Sequence, residues 1–260
     1  MSARSQPRLL RALLHPWSLG VAGVLAVVIV WTLVSASGTV DKLFLPSPAA
    51  VWAAGQQQAA EGLLWSDIRA SVSRVGAGFA LSALVALPLG IAMGANRVIC
   101  RLLEPLLALI RYMPAPAFIP LLIIYFGLGE LPKVLLIFIG TLFFNTLMIM
   151  DAVKFVPSEL VETALTLGGR RDQVLVRVIT PCIIPQVIDA YRINMASAWN
   201  LVIVAELVAA TEGLGKRISL AQRFLRTDEI FLGLIVIGLI GLLIDLSFRL
   251  LLRRTCTWAV

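Results

Sequence analysis

Six long apolar stretches separated by polar segments set the pattern of this chain: residues 18–36, 75–94, 106–126, 134–150, 185–210 and 230–252. Each approaches the roughly 20 predominantly apolar residues that a helix needs to cross a bilayer. In lipid the backbone must satisfy its own hydrogen bonds, and helices do so within one segment. The pattern therefore predicts an all-α, polytopic membrane protein with about six transmembrane helices.

The polar segments divide this plan. Arg4, Arg8 and Arg11 precede the first apolar run, which is longer than the 7–15 residues of a signal-peptide core. A signal-anchor helix is favoured, although Val34-Ser35-Ala36 would tolerate cleavage without changing the topology downstream. Residues 41–74 carry Pro46, Pro48, Gln56, Gln57, Gln58, Glu61, Asp67 and Arg69, and are too polar to span; they predict an external segment holding an amphipathic helix. Three regions follow: 1–40, a cytoplasmic N-terminus with the first helix; 41–74, external; and 75–260, a core with a long polar loop at 151–181.

Within the core, Gly90 and Gly94 have the spacing that lets helix backbones approach closely. The third span is interrupted by Pro114, Pro116 and Pro120, so it is expected to kink or unwind. Broken backbone at membrane depth survives only against protein or a water-filled cavity. This span is thus expected to face the interior, as a candidate wall of a translocation path.

Composition narrows the class. The chain is 59% hydrophobic and only 14% charged, where a soluble domain carries roughly 25%. Its 260 residues are consumed by six spans and their loops, leaving no room for a separate soluble domain. The net charge of +7 sits in residues flanking the apolar runs, not in a patch interleaved with aromatics, which argues against nucleic acid. With the N-terminus inside, 14 Lys and Arg fall on the cytoplasmic face and 8 outside. The excess of cations on cytoplasmic loops favours that orientation, with both termini and the 151–181 loop cytoplasmic.

Chemistry is sparse. Cys100, Cys182, Cys256 and the single His15 have no metal-ligand or disulfide spacing, so neither a metal site nor catalytic residues are expected. No GxxxxGK[ST] phosphate loop is present, and any ATP hydrolysis would belong to another chain.

The polar loop carries the most information. Pro157-Ser158-Glu159 reads as a helix start with Ser158 as cap, and Gly168-Gly169 as its stop. Leu160, Val161, Ala164, Leu165 and Leu167 give the helix apolar surface, which needs either a partner's groove or the underside of its own bundle. Glu162, Ala164, Gly168, Val178 and Pro181 match the spacing of the EAA loop of ABC importer permeases, with Thr163 and Thr180 as departures. Leu45 to Pro48, Ser73 to Phe79, Phe126 to Glu130 and Ala198 to Leu207 likewise resemble the nitrate, sulfonate, taurine and bicarbonate permease group.

That resemblance implies a type I (MetI-like) ABC importer permease fold in a bacterial inner membrane. It implies that Glu162, Ala164, Leu165, Gly168, Gly169, Arg170 and Pro181 form a helix seated in a cleft of an ATPase subunit. Two such ATPases would hold ATP and Mg, while this chain binds no cofactor itself. An external solute-binding protein and a second copy of this permease complete the implied assembly. The implied cargo is a small anion such as an aliphatic sulfonate or taurine, nitrate or bicarbonate.

Polar residues inside apolar spans are costly and mark candidate path positions. Tyr125, Asn145, Asn194, Ser197 and Asn200 either contact the cargo or hydrogen-bond neighbouring helices. Glu206 would repel an anion and is assigned a structural or gating contact with an Arg or Lys. Arg111 and Arg192 sit near the cytoplasmic ends of the third and fifth predicted spans, where snorkelling to water is the favoured account and attraction of an anion the alternative. A self-sufficient transporter or channel is the alternative, but it would be expected to show coupling carboxylates, repeats or a selectivity filter. A membrane enzyme would need a nucleophile, base or metal cluster, and His15 has no such neighbours in sequence.

Overall fold

The computed structural model describes residues 16–258, and among these all regular structure is helical. Arg4, Arg8, Arg11 and His15 lie outside the described residues. Helix α1 (Pro16–Ala36) is followed by α2 (Pro48–Ala60), α3 (Leu63–Ala95) and α4 (Arg97–Arg111). A short 3-10 turn (Ala115–Phe118) leads to α5 (Ile119–Phe126), then α6 (Glu130–Lys154). The loop contains α7 (Ser158–Thr166) and α8 (Arg171–Val174), and α9 (Thr180–Ala209), α10 (Leu214–Arg223) and α11 (Thr227–Thr255) complete the chain.

Among the described residues five helical segments are long and apolar enough to cross a membrane, and α4 with the turn and α5, taken together as one segment bent by 87°, brings the number to six. The bend falls at Tyr112 to Pro114, between the predicted third span's two halves. Proline supplies no N–H to the preceding turn, and Pro114, Pro116 and Pro120 stand where the helix would have to continue. This span also begins at Arg97, nine residues before the hydropathy boundary, because Asn96 caps it by accepting from the N–H of Val98 at 2.8 Å.

The centre of the bundle is the pairing of α3 with α6. Gly78, Ser82, Ala86, Gly90 and Gly94 recur every four residues and form one face of α3. A Cβ on Gly78 would lie 2.7 Å from the Ile137 Cβ, one on Gly90 2.7 Å from the Ile149 Cβ, and one on Gly94 2.5 Å from the Val153 Cβ. The expected close approach at Gly90 and Gly94 is thus one end of a longer small-residue seam, which lets the two backbones pack without intervening side chains. Helix α9 covers this pair, burying Ala198, Trp199 and Val202 against Val75, Phe79 and Ile137. By contrast α1 is almost wholly exposed and is held by Trp31, whose indole donates to the Pro46 carbonyl at 2.9 Å and stacks on Phe231.

One boundary differs from the hydropathy pattern. The expected break at 74/75 falls inside α3, which starts at Leu63 and carries Asp67, Ser71 and Arg74 into packed protein. Hydropathy counts those residues as polar, but each has a buried partner that offsets its desolvation.

Candidate coupling loop, helix break and polar cluster

The loop between α6 and α9 is built as the sequence suggests, with one change at its start. Pro157 occupies the cap position in an extended conformation and Ser158 is already helical, so the expected Ser158 cap bond does not form. Proline fixes the backbone entry angle that a cap would otherwise set. None of the α7 residues is buried.

Helix α7 ends in a Schellman arrangement: the Gly168 N–H donates to the Leu165 carbonyl and the Gly169 N–H to the Ala164 carbonyl, both at 3.0 Å. Gly168 has φ +88, the left-handed region that a side chain disfavours. Gly169 is constrained differently, since a Cβ there would lie 2.6 Å from the Ala164 carbonyl oxygen. The two glycines therefore perform separate tasks, reversal of the chain and close passage under α7.

After Arg170, whose N–H donates to the Gln173 side-chain oxygen at 3.2 Å, the chain enters α8. A wide turn of π-helix, Leu175–Ile179, joins α8 to α9. Pro181 explains it: a proline inside a helix removes one bond and crowds the carbonyl four residues back, and the wider turn relieves that crowding. The Thr180 hydroxyl donates to the Leu175 carbonyl at 2.8 Å and satisfies part of the opened ladder.

The α7 side chains split between two directions. Val161 and Leu165 line a mostly apolar cleft of about 520 Å3 shared with Ala92, Ala95, Val174 and Ile179. Leu160 and Leu167 are 47% and 82% exposed, and Glu162 is exposed with them. One apolar edge thus rests against the bundle while the other is open.

At the 87° break, the structure brings Ser197 and Asn200 of α9 to one wall of a cavity of about 330 Å3. Arg111, Tyr112, Pro114 and Phe144 also line it. Asn145 and Asn194 do not reach this cavity. The Asn194 amide donates to the Asn145 oxygen at 2.7 Å, and the Asn145 amide to the Ser82 hydroxyl at 3.0 Å, both buried. Tyr125 is 73% exposed on α5 and does not line this cavity.

At the end of the bundle opposite the loop, Glu206 is completely buried. Its carboxylate accepts from Arg74 at 2.7 Å, from the Ser71 hydroxyl at 2.7 Å and from the Gly215 N–H at 2.8 Å. Arg74 also pairs with Glu130, which Lys133 contacts at 2.8 Å. Asp67 takes the Arg217 guanidinium at 2.7 Å and the Gly213 N–H at 2.8 Å. Glu206 has the cationic neighbour its position implied, whereas Asp67, Ser71, Arg74, Glu130 and Lys133 were not singled out as a site. The signal for them was faint: polar residues at 67, 71 and 74 share one helical face. Arg192, expected to snorkel, instead lies 3.2 Å from Asp189 and 3.4 Å from Asp245.

Five apolar spans and a broken sixth, with a glycine-ended helix left open at one end, are the build of a polytopic transport permease. The chain belongs to the binding-protein-dependent transport system inner membrane component family, whose profile matches residues 86–255. It is 36% identical over 242 residues to the taurine transport system permease protein TauC of Escherichia coli (strain K12), covering 91% of this chain and 88% of that one. It is 30% identical over 244 residues to the putative aliphatic sulfonates transport permease protein SsuC of Bacillus subtilis (strain 168), covering 94% and 88%. Among solved structures, a chain of the inward-facing MetNI methionine ABC transporter superposes with a TM-score of 0.67 at 18% identity, covering 74% of this chain and 96% of that one. The fold is therefore the MetI-type importer fold, and this chain is the multi-pass permease component of an ABC importer.

Proposed function

We propose that this permease carries a small sulfonate across the inner membrane, driven by ATP hydrolysis on separate ATPase subunits. The observation that carries the coupling is α7 itself: an amphipathic helix ended by Gly168, with one apolar edge on its own bundle and Leu160, Glu162 and Leu167 open to a partner. A rigid element seated in a partner's cleft must move with that partner, and the continuous run from α8 into α9 carries the movement into the bundle.

In this reading both termini and the loop are cytoplasmic, in keeping with the distribution of Lys and Arg. Glu162, Ala164, Leu165, Gly168, Gly169, Arg170 and Pro181 are the coupling residues. Two copies of the permease enclose the path and rest on two ATPases, which hold ATP and Mg. A binding protein delivers cargo to the opposite face, where the Arg74–Glu206 cluster lies. Ser197 and Asn200 belong to the path wall, whereas the paired Asn145 and Asn194 hold α3, α6 and α9 together. The sulfonate is favoured because the taurine and the sulfonate permeases described above share it.

The test is ATP hydrolysis by the complete complex in nanodiscs, with binding protein loaded in turn with taurine, an alkanesulfonate, nitrate or bicarbonate. Stimulation by the sulfonate-loaded forms supports the reading. Stimulation by nitrate or bicarbonate alone overturns the cargo, and failure of any ATPase subunit to co-purify overturns the coupling.

A further inference from the structure

We infer that Arg111, with Ser197 and Asn200, forms an oxyanion-binding station at mid-depth in the bundle, suited to a sulfonate group. This inference rests on the transport reading above and adds to it the residue that selects for negative charge.

Depth is the first observation. Gly140, on the same cavity wall, lies ten residues from the start of α6 and fourteen from its end. At about 1.5 Å per residue this is roughly 15 Å and 21 Å along the helix, in the middle of a core about 30 Å thick. Arg111 is thus not the span-end residue that hydropathy suggests. The span begins at Arg97, and Arg111 is its fifteenth residue, placed where the helix stops.

Charge is the second. Among the described residues, Arg111 is the only charged one lining the cavity. Among the described residues no carboxylate oxygen lies within 4.0 Å of it, whereas Arg74, Lys133 and Arg192 each have at least one. A cation at this depth without a counter-ion is costly, and such residues mark ion and substrate paths. An arriving anion supplies the missing charge.

Geometry is the third. The exposed Arg111 guanidinium lies 5.1 Å from the Tyr112 ring centroid and within 3.3 Å of its hydroxyl, both on the cavity rim. A guanidinium offers a planar fork of N–H donors, the Ser197 hydroxyl one more and the Asn200 amide two. All three side chains line one cavity and between them offer donors enough for a sulfonate's oxygens, while Met113, Phe143 and Phe144 offer apolar surface to the carbon chain. Interrupted helices near the midplane are where transporters commonly hold their cargo.

The step is binding only, with no bond made or broken. Its test uses the assembled complex of permease, ATPase and binding protein. Arg111→Gln is expected to lower taurine and ethanesulfonate uptake into proteoliposomes at least about tenfold, the scale of one partly screened unit charge, while Arg111→Lys retains most of it. A second readout does not depend on transport. With Cys100, Cys182 and Cys256 replaced by Ala, Asn200→Cys is expected to react faster with an anionic sulfonatoethyl thiosulfonate than with its cationic trimethylammonium counterpart. Adding Arg111→Gln should erase that preference. Wild-type uptake in Arg111→Gln, or a labelling preference indifferent to residue 111, overturns the station and leaves the transport reading standing. Failure of the wild-type complex to import any sulfonate overturns that reading, and the station with it.

Discussion

The two ends of this bundle are built on opposite principles. At the Glu206 end, buried Arg74 and Glu206 satisfy one another between α3 and α9, with Ser71 and the Gly215 N–H of α10 also donating to Glu206 and an exposed Glu130 of α6 closing the pair from outside. At the loop end, α7 buries no residue and keeps both Leu167 and Glu162 in the open. Buried charge is tolerable only with partners in place, so the first end is stiff and intolerant of change. An exposed helix with few packed contacts is cheap to move, as elements that shift during function must be. Stability and function should therefore separate: substitutions at the first end unfold the protein, and those at the second uncouple it.

The largest effect is expected at Arg74. Arg74→Ala leaves Glu206 fully buried with no cation beside it, a loss of about 3–5 kcal/mol for a broken buried pair. The variant should melt far below the wild type in detergent or fail to accumulate in the membrane. Adding Glu206→Gln removes the orphaned charge, so the double variant should be less destabilised than the sum of the two single changes. A strictly additive double-mutant cycle would show that the pair contributes nothing as a pair.

Next comes the seam between α3 and α6. Gly90→Val forces a branched side chain toward Ile149 and the Thr146 carbonyl, and overpacking of this kind costs about 1–3 kcal/mol. Gly76→Ala on the same helix meets nothing within 4 Å and should melt with the wild type. Equal melting of the two variants would dissolve the distinction between the packed seam and the open faces of α3.

The contrast between the two ends also explains what the sequence made legible. The loop could be read because its instructions are local: Gly168 stops a helix wherever it stands, and Pro181 disturbs one wherever it stands. The spans could be read because lipid imposes a length and an apolar composition on each segment separately. The charged cluster could not, since Asp67, Ser71 and Arg74 look like a solvated segment until Arg217, Glu206 and Glu130 arrive from 56 to 150 residues away. The same holds for Asn145 and Asn194, whose polarity is absorbed by each other rather than by a path. Hydropathy misplaces Arg111 for a simpler reason: Asn96 starts its helix nine residues earlier than the apolar run does.

Smaller losses are expected in the loop. Gly168→Ala must hold a side chain at φ +88, which costs about 1–2 kcal/mol locally. The cost falls on α7, so the melting transition of the bundle should move little while ATP-driven uptake falls. Deletion of residues 162–168 should abolish uptake and still leave a protein that inserts and melts normally. A bundle that melts early in either variant would mean that α7 is part of the stable core and not a free-standing transmitter.

The smallest structural effect and the sharpest functional one are expected together at Glu162. Its side chain is exposed and, among the described residues, has no hydrogen-bond or ion-pair partner, while its backbone carbonyl accepts from the Thr166 hydroxyl at 2.9 Å. Glu162→Ala should change stability by no more than about 0.5 kcal/mol, as surface substitutions do. Glu159 is the internal control, because it is equally exposed on the same helix but sits in its first turn. There a carboxylate favours the helix by about 0.3–1 kcal/mol, so Glu159→Ala should weaken α7 more than Glu162→Ala does. If Glu162 touches the ATPase, uptake and ATP hydrolysis become unlinked in Glu162→Ala and stay linked in Glu159→Ala, the reverse of the order in stability. Uptake that tracks helix stability across the two variants would instead make α7 a passive spacer.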